Sequence, residues 1–187
     1  MRVAVGALVL ALAVGCGGGD EESAEEACAP YLPATTLVLG SSDIAECEPI
    51  DAQYTCDGED VSPALSWTGV PPGTAELVLI VDDPDAPDGA FAHWLVYGLD
   101  PGTTELPEGV MPGGVGLLQG ENDFGDAGYG GPCPPEGETH RYRFWLQAVD
   151  EETGLEPGAT REDVLAAVEG HLVGDFMLIA LYARAGG

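Results

Sequence analysis

The sequence contains no lysine: all five of its Lys-or-Arg residues are arginines. Against them stand 33 aspartates and glutamates, and the formal net charge at pH 7 is -28. Nucleic-acid binding depends on basic groups that displace counterions from phosphates, and anionic lipid surfaces likewise attract basic segments. The composition therefore excludes a nucleic-acid partner, and it indicates an acidic surface that favours solubility.

The sequence also lacks an apolar run of the roughly 20 residues that a bilayer-spanning helix needs. Its N-terminus has a basic start, Met1-Arg2, then a shorter apolar stretch from Val3 to Val14, then Gly15-Cys16. This order is typical of a signal peptide, which we predict over residues 1–15. A cysteine directly after small residues resembles the lipobox of bacterial lipoproteins. We therefore predict that Cys16 is lipidated, with plain secretion as the alternative.

The rest of the chain divides into a tether and one domain. The predicted tether, residues 16–30, continues from Cys16 with glycines and then acidic residues. It holds no large apolar side chain, so it cannot bury enough surface to fold. Residues 31–187 have the size of a single domain. We expect a location in the bacterial cell envelope, facing the periplasm or the exterior, with membrane contact through the N-terminal lipid only.

Four cysteines remain if Cys16 carries lipid: Cys28, Cys47, Cys56 and Cys133. An even number in an exported chain predicts two disulfides, and three pairings are open. A metal site is the weaker alternative, because no CxxC motif or paired histidine spacing accompanies these thiols. We predict neither a metal nor a cofactor.

Apolar, β-prone runs that alternate with proline and glycine turns predict a chain dominated by strands. One helix is predicted after the capping residue Thr160, with an apolar stripe from Val164 to Leu172 and an end at Gly174. The segment from Gly113 to Gly137 is rich in glycine and proline, and such a long irregular segment is usually functional. The predicted strands are Thr36–Leu39, Glu76–Val81, Phe91–Tyr97, Tyr142–Val149 and Phe176–Tyr182.

Three polar clusters lie beside these strands. The first, Asp82-Asp83-Pro84-Asp85-Ala86-Pro87, is by itself typical of a solvated acidic turn. The second is His93, which strand alternation places on one face with Leu95 and Tyr97, although a lone histidine is more often structural. The third joins the Gly128-to-Pro135 loop, whose backbone amides could turn toward an anion, to His140-Arg141-Tyr142.

In their order and spacing, the motifs DPDAP, HW, GPCPP and HRY resemble the phosphatidylethanolamine-binding protein family, in its bacterial Raf kinase inhibitor-like branch. The resemblance covers about Thr35 to Tyr182. It implies a mainly β fold in which a large antiparallel sheet packs against a smaller sheet, with few short helices. It further implies the disulfides Cys56–Cys133 and Cys28–Cys47.

The resemblance also implies a pocket for a phosphate-type head group or a carboxylate. Histidine, the Tyr142 hydroxyl and the Gly131 amide would donate to the anion, while Asp83 would orient a histidine or receive an ammonium group. The implied ligand-binding residues are Asp83, Asp85, His93, Gly131, Pro132, Cys133, Pro134, Pro135, His140 and Tyr142.

The sequence is consistent with two functions. The first is a binding module without catalysis, which captures a small anionic ligand and modulates a protein partner that the sequence does not identify. The alternative is a hydrolase or metal-assisted enzyme that uses Asp83, His93 and His140. The sequence holds no G-x-S-x-G, H-E-x-x-H or P-loop motif, so we predict the binding module.

Overall fold

The computed structural model describes residues 28, 31, 34–113 and 117–184. The predicted signal peptide, the lipidation site Cys16 and most of the predicted tether lie outside the described residues. Within these ranges, no helix has the length and apolarity needed to span a membrane.

The described part of the chain is dominated by strands. They are β1 (Val38–Gly40), β2 (Leu65–Thr68), β3 (Glu76–Asp83), β4 (Phe91–Leu99), β5 (Glu105–Leu106), β6 (Leu118–Gln119), β7 (Thr139–Val149) and β8 (Leu172–Ala183). One α-helix, α1 (Arg161–Val168), precedes β8, and a short 3-10 helix covers Ala52–Tyr54.

The strands form two antiparallel sheets. The larger has the order β6-β4-β3-β7-β8, and the smaller has the order β1-β2-β5. Strand β7 pairs with β3 on one side and with β8 on the other, over most of its length. The mainly β, two-sheet architecture that the resemblance implied is therefore confirmed, and the five predicted strands correspond to β1, β3, β4, β7 and β8.

Strand β3 is the centre of the fold, because all eight of its residues are buried. On the inner face, Leu77 and Leu79 belong to a core that includes Trp67 of the smaller sheet. On the outer face, Val78 and Ile80 pack in a second cluster that includes Val164 of α1. Apolar surface on both faces explains why the sequence from 76 to 81 is nearly continuous in hydrophobic residues.

Helix α1 begins as predicted and ends earlier than predicted. The Asp163 amide donates to the Thr160 side chain, and the Asp163 carboxylate accepts from the Thr160 amide, which completes a capping box. The predicted end at Gly174 is wrong. Gly170 adopts a positive φ of 84°, and Leu172 already pairs with Val149 as β8 begins. Sheet pairing with β7 replaces another turn of helix.

Two disulfides anchor the irregular segments. Cys28 is bonded to Cys47, and the Cys47 amide donates to the carbonyl of Ile179 on the edge strand β8. Cys56 is bonded to Cys133, which links the segment after the 3-10 helix to the glycine- and proline-rich loop. These are the pairings that the resemblance implied.

Removal of the Cys56–Cys133 bond should lower stability more than removal of the Cys28–Cys47 bond. The sequence separations are 77 and 19 residues, and a longer closed loop restricts the unfolded chain more. We expect the double serine variant at 56 and 133 to lose about 4.5 kcal/mol, and the one at 28 and 47 about 3 kcal/mol. Urea unfolding of the exported domain measures both. Equal losses would contradict the loop-length argument.

Candidate functional site

A β-bulge places His93 at one end of the larger sheet. Val81 pairs with Trp94 and Asp82 with Ala92, so β4 holds one extra residue, His93, at this point. The predicted alternation, which put His93 on the face of Leu95 and Tyr97, is therefore wrong. His93 lies on the inner face, with its ring 5.2 Å from that of Tyr142.

The same end of the inner face carries Asp83 at the end of β3 and His140 near the start of β7. A cavity of about 350 Å³ opens there. It brings together six of the predicted residues with five that were not predicted. The lining residues are Asp83, His93, Cys133, Pro134, Pro135 and His140, together with Ala86, Pro87, Phe91, Phe124 and Arg184.

Asp83 orients His140, which is one of the two roles predicted for this carboxylate. Asp83 Oδ2 lies 2.7 Å from His140 Nδ1, and Asp83 Oδ1 accepts from the Asp85 amide. The other ring nitrogen, Nε2, lies 3.2 Å from the exposed carboxylate of Glu138. Burial opposes protonation of His140, but the hydrogen bonds to Asp83 and Glu138 outweigh it and raise the pKa. His140 therefore keeps its second ring proton to a higher pH than a free imidazole does.

His93 has the opposite tendency. Its pKa is lowered chiefly by burial, against the raising effect of its contact with Gly130. Nδ1 lies 2.7 Å from the Gly130 carbonyl oxygen, which can only accept, so Nδ1 carries the proton. In the neutral ring Nε2 is then an acceptor, contrary to the sequence-based expectation of a donor. The Gly130 amide donates back to the His93 carbonyl and fixes the strand against the loop.

The loop from Tyr129 to Cys133 is fastened to the segment around the 3-10 helix. Tyr129 donates its hydroxyl to the Tyr54 carbonyl, and the Cys56 amide donates to the Pro132 carbonyl beside the disulfide. The Gly131 amide donates to Asp60 Oδ1 at 2.6 Å. The prediction that this amide serves an anion is therefore wrong, because a side chain of the protein already occupies it.

The four remaining predicted residues support the cavity without lining it. Asp85 accepts from the Arg141 side chain and backbone, and the Arg141 guanidinium is the largest cause of its lowered pKa. Gly131 and Pro132 are buried in the loop. Tyr142 is fully buried, its hydroxyl has no hydrogen-bond partner among the described residues, and burial raises its pKa. The expected role of the Tyr142 hydroxyl as a ligand donor stays a prediction.

Arg184 and the aromatic pair at the cavity mouth were missed by the sequence analysis. Arg184 follows β8 and donates through Nε to Asp57, which also accepts from the Tyr182 hydroxyl. Phe91 and Phe124 meet at 4.8 Å between ring centroids, and Phe124 is half exposed. The pairing of β7 with β8 brings residue 184 beside residue 138, and a local sequence pattern does not show this register.

The geometry does not gather a metal-ligand set at this cavity. Across the described ranges, the one group of three ligand-type residues with all ligand atoms within 4.8 Å is Cys28, Glu46 and Cys47. The two sulfurs of that group are bonded to each other. Asp83 and His140 instead form a hydrogen-bonded pair, with His93 held separately by Gly130.

A two-sheet β domain with a small cavity at one end of its larger sheet defines the class of this protein. Residues 40–183 match the family model described as phosphatidylethanolamine-binding protein. The chain therefore belongs to the phosphatidylethanolamine-binding protein family, as the sequence motifs indicated.

Three similar proteins support this assignment. A UPF0098 protein of Methanothermobacter thermautotrophicus is 52% identical over 138 residues, which cover 72% of this chain and 91% of that protein. LppC of Mycobacterium tuberculosis, which its name describes as a lipoprotein, is 39% identical over 190 residues, 94% of this chain and 92% of LppC. The solved structure of Escherichia coli YbcL, described as a new member of the mammalian PEBP family, has a TM-score of 0.75 and 30% identity, and the match covers 79% of this chain and 98% of YbcL.

The Asp83–His140 pair should make stability depend on pH. The pKa of His140 is raised on folding, so its contribution is complete below the unfolded value of about 6.5 and is lost as the pH rises through the folded value. The wild type should therefore exceed His140→Gln in unfolding free energy most near pH 6, and less at higher pH. Chemical unfolding at several pH values measures this difference. Asp83→Asn should reduce the same pH dependence, and a constant difference between wild type and His140→Gln would contradict the assignment.

Proposed function

We propose that this protein is a non-catalytic binding protein of the cell envelope, which captures a small anionic ligand in the cavity between His93, His140 and Arg184. The ligand group is a phosphate-type head group or a carboxylate. The observation that carries the proposal is that the Arg184 guanidinium, the His140 imidazole with its raised pKa and the fixed His93 imidazole all line one cavity of about 350 Å³.

Arg184 supplies the strongest donors for such an anion. Asp57 lies 3.0 Å from Nε and holds the guanidinium in place. In the part of the chain that the structure describes, the two terminal nitrogens make no hydrogen bond. Guanidinium groups pair with phosphate or carboxylate oxygens through two parallel hydrogen bonds, and these are stronger than bonds between neutral groups.

His140 offers a second donor, which the protein occupies with its own carboxylate. Glu138 lies on Nε2 at 3.2 Å, and its side chain is 58% exposed. An exposed carboxylate gains little from such a pair, so an anionic ligand can displace it. Asp83, by contrast, is buried and remains on Nδ1, where it keeps the ring oriented.

His93 favours a ligand that can donate a hydrogen bond to its Nε2. Because Nδ1 donates to Gly130, the neutral ring presents Nε2 as an acceptor. A phosphate monoester, hydrogen phosphate or a neighbouring ammonium group can donate there, whereas sulfate at neutral pH cannot. The aromatic edge from Phe91 and Phe124 adds an apolar contact for any part of the ligand beyond the anion.

The net charge of -28 opposes this function at long range. A strongly negative protein repels anions and slows their association. The affinity must therefore come from the short-range donors of the cavity. This argument favours a ligand with several oxygens, because one phosphate can engage Arg184 and His140 together.

Calorimetric titration of the domain at pH 6 with phosphate, phosphorylethanolamine and sulfate tests the proposal. We expect both phosphates to bind and sulfate to bind more weakly, because sulfate offers His93 no proton. His93→Ala should remove the preference for phosphate over sulfate. Equal binding of all three anions would contradict the role of His93.

Three further variants identify the site in the same experiment. His140→Ala and Arg184→Gln should each weaken phosphate binding about tenfold or more, since hydrogen bonds to charged groups contribute about 1.5–3 kcal/mol. Glu138→Ala should strengthen it, because the competing carboxylate is gone. Unchanged affinity in His93→Ala and His140→Ala would overturn the pocket assignment.

The hydrolase alternative has less support. Asp83 and His140 form a carboxylate–imidazole pair, but His93 is fixed to Gly130 and none of the described residues that line the cavity is a serine. Modulation of a partner protein remains part of the proposal, as an effect of the bound ligand on the surface around Phe124 and Pro135.

We also propose that Cys16 carries a lipid that holds the domain to a membrane. The match to LppC, described as a lipoprotein, extends over 94% of this chain and supports the proposal. Replacement of Cys16 by serine should move the protein from the membrane fraction to the soluble fraction of bacterial cells. A wild-type protein that is already soluble would refute lipidation.

A further inference from the structure

A groove much larger than the anion cavity lies on the outer face of the larger sheet. Helix α1 packs over β3 and β4, so it leaves the outer face of β7 partly open. The groove between α1, β7 and the start of β8 has a volume of about 860 Å³. Its walls include the half-buried Trp145 and Leu165 and the exposed Leu172, and Gln147 lines it beside Trp145.

Two polar groups along this groove lack the partners that burial requires. Gln147 is 1% exposed, and its Oε1 has no hydrogen-bond partner among the described residues. Arg161 donates through Nη2 to Asp82, but its buried Nε has no partner in those ranges. Buried polar groups are nearly always hydrogen-bonded, so an unmatched acceptor and an unmatched donor on one groove point to a ligand.

We infer from the rise along β7 that the two groups are too far apart for one small polar group to satisfy both. Arg161 shares Asp82 with Arg143, which marks its position along β7. From Arg143 to Gln147 the strand advances four residues, about 13 Å. A matching ligand needs an acceptor at one end, a donor at the other and apolar surface between them, beside Trp145. An extended peptide has this pattern, because every residue supplies an N–H and a C=O.

The charge of the groove indicates which peptide fits. Besides Arg161, its charged residues are the exposed carboxylates of Asp123, Glu162 and Glu169. The Arg161 charge is already shared with the buried Asp82. A basic side chain would therefore meet carboxylates, and the field of a protein with a net charge of -28 favours its approach.

We propose that this groove is a second binding site, for a short extended peptide segment with apolar side chains and at least one basic residue. The peptide carbonyl accepts from Arg161 Nε, a peptide N–H donates to Gln147 Oε1, and the apolar side chains cover Trp145, Leu165 and Leu172. The basic side chain contacts Glu162 or Glu169. This site is separate from the anion cavity and does not depend on the function proposed for it.

The probe is a capped tetrapeptide of alternating valine and lysine, and its twin with glutamate in place of lysine is the matched control. Binding is followed by tryptophan fluorescence and calorimetry. Trp67 and Trp94 are buried in the core, so the change should come from Trp145 and disappear in Trp145→Phe. We expect the lysine peptide to bind and the glutamate peptide to bind at least tenfold more weakly.

Gln147→Leu separates a binding role from a structural one. Because its Oε1 has no partner among the described residues, the variant should keep or raise the unfolding temperature while it weakens binding of the lysine peptide about 5- to 10-fold. The double variant Glu162→Gln, Glu169→Gln should reduce the preference for lysine over glutamate, and His93→Ala should leave peptide binding unchanged. Absence of binding by the lysine peptide, equal binding of both peptides, or a destabilised Gln147→Leu with unchanged affinity would overturn the proposal.

Discussion

The extra residue in β4 is the constraint on which the candidate site depends. Regular alternation would turn His93 toward α1, away from Asp83 and His140. The bulge opposite Val81 and Asp82 reverses its direction, so that three strands contribute polar side chains to one end of the inner face. The hydrogen bonds between His93 and Gly130 then hold the bulge in place. Backbone geometry and ring protonation are therefore determined together, because the carbonyl that fixes the strand also fixes which ring nitrogen carries the proton.

The positive charges of the described residues are held in short-range pairs with aspartates. Four of the five arginines lie in the described ranges, and each of them is paired with an aspartate. Two of them, Arg143 and Arg161, share the buried Asp82 on the outer face. Arg141 serves Asp85, and Arg184 alone lines the cavity. The described part of the chain therefore has few positively charged side chains, and each of these arginines is held in position by a carboxylate. The remaining charged side chains make the protein strongly acidic.

Much of the fold could be predicted from the sequence, because long strands carry a strong pattern. The continuous apolar run from 76 to 81 and the capping box at Thr160 are local signals, and both elements form where they were expected. The helix end could not be predicted in this way. The stripe from Val164 to Leu172 fits a helix, but Leu172 gains a partner in β7, and pairing between distant segments is absent from a local pattern.

The candidate site was predicted in part, from short sequence motifs. Motif resemblance identified Asp83, His93, Cys133 and His140, which do line one cavity. It could not reveal that the Gly131 amide is occupied, because its acceptor, Asp60, is 71 residues away in the chain. It also could not reveal Arg184, whose position depends on the register of β8 against β7. Contacts of long sequence separation decide these details.

The Cys56–Cys133 bond has a consequence for when the cavity can exist. One of its sulfur-bearing residues lines the cavity, and the bond joins the two segments that hold the loop. A chain that folds in a reducing compartment lacks this crosslink, and its loop depends on a few hydrogen bonds. The wall of the cavity is therefore crosslinked only after these thiols are oxidised, so its rigidity depends on the redox conditions under which the chain folds.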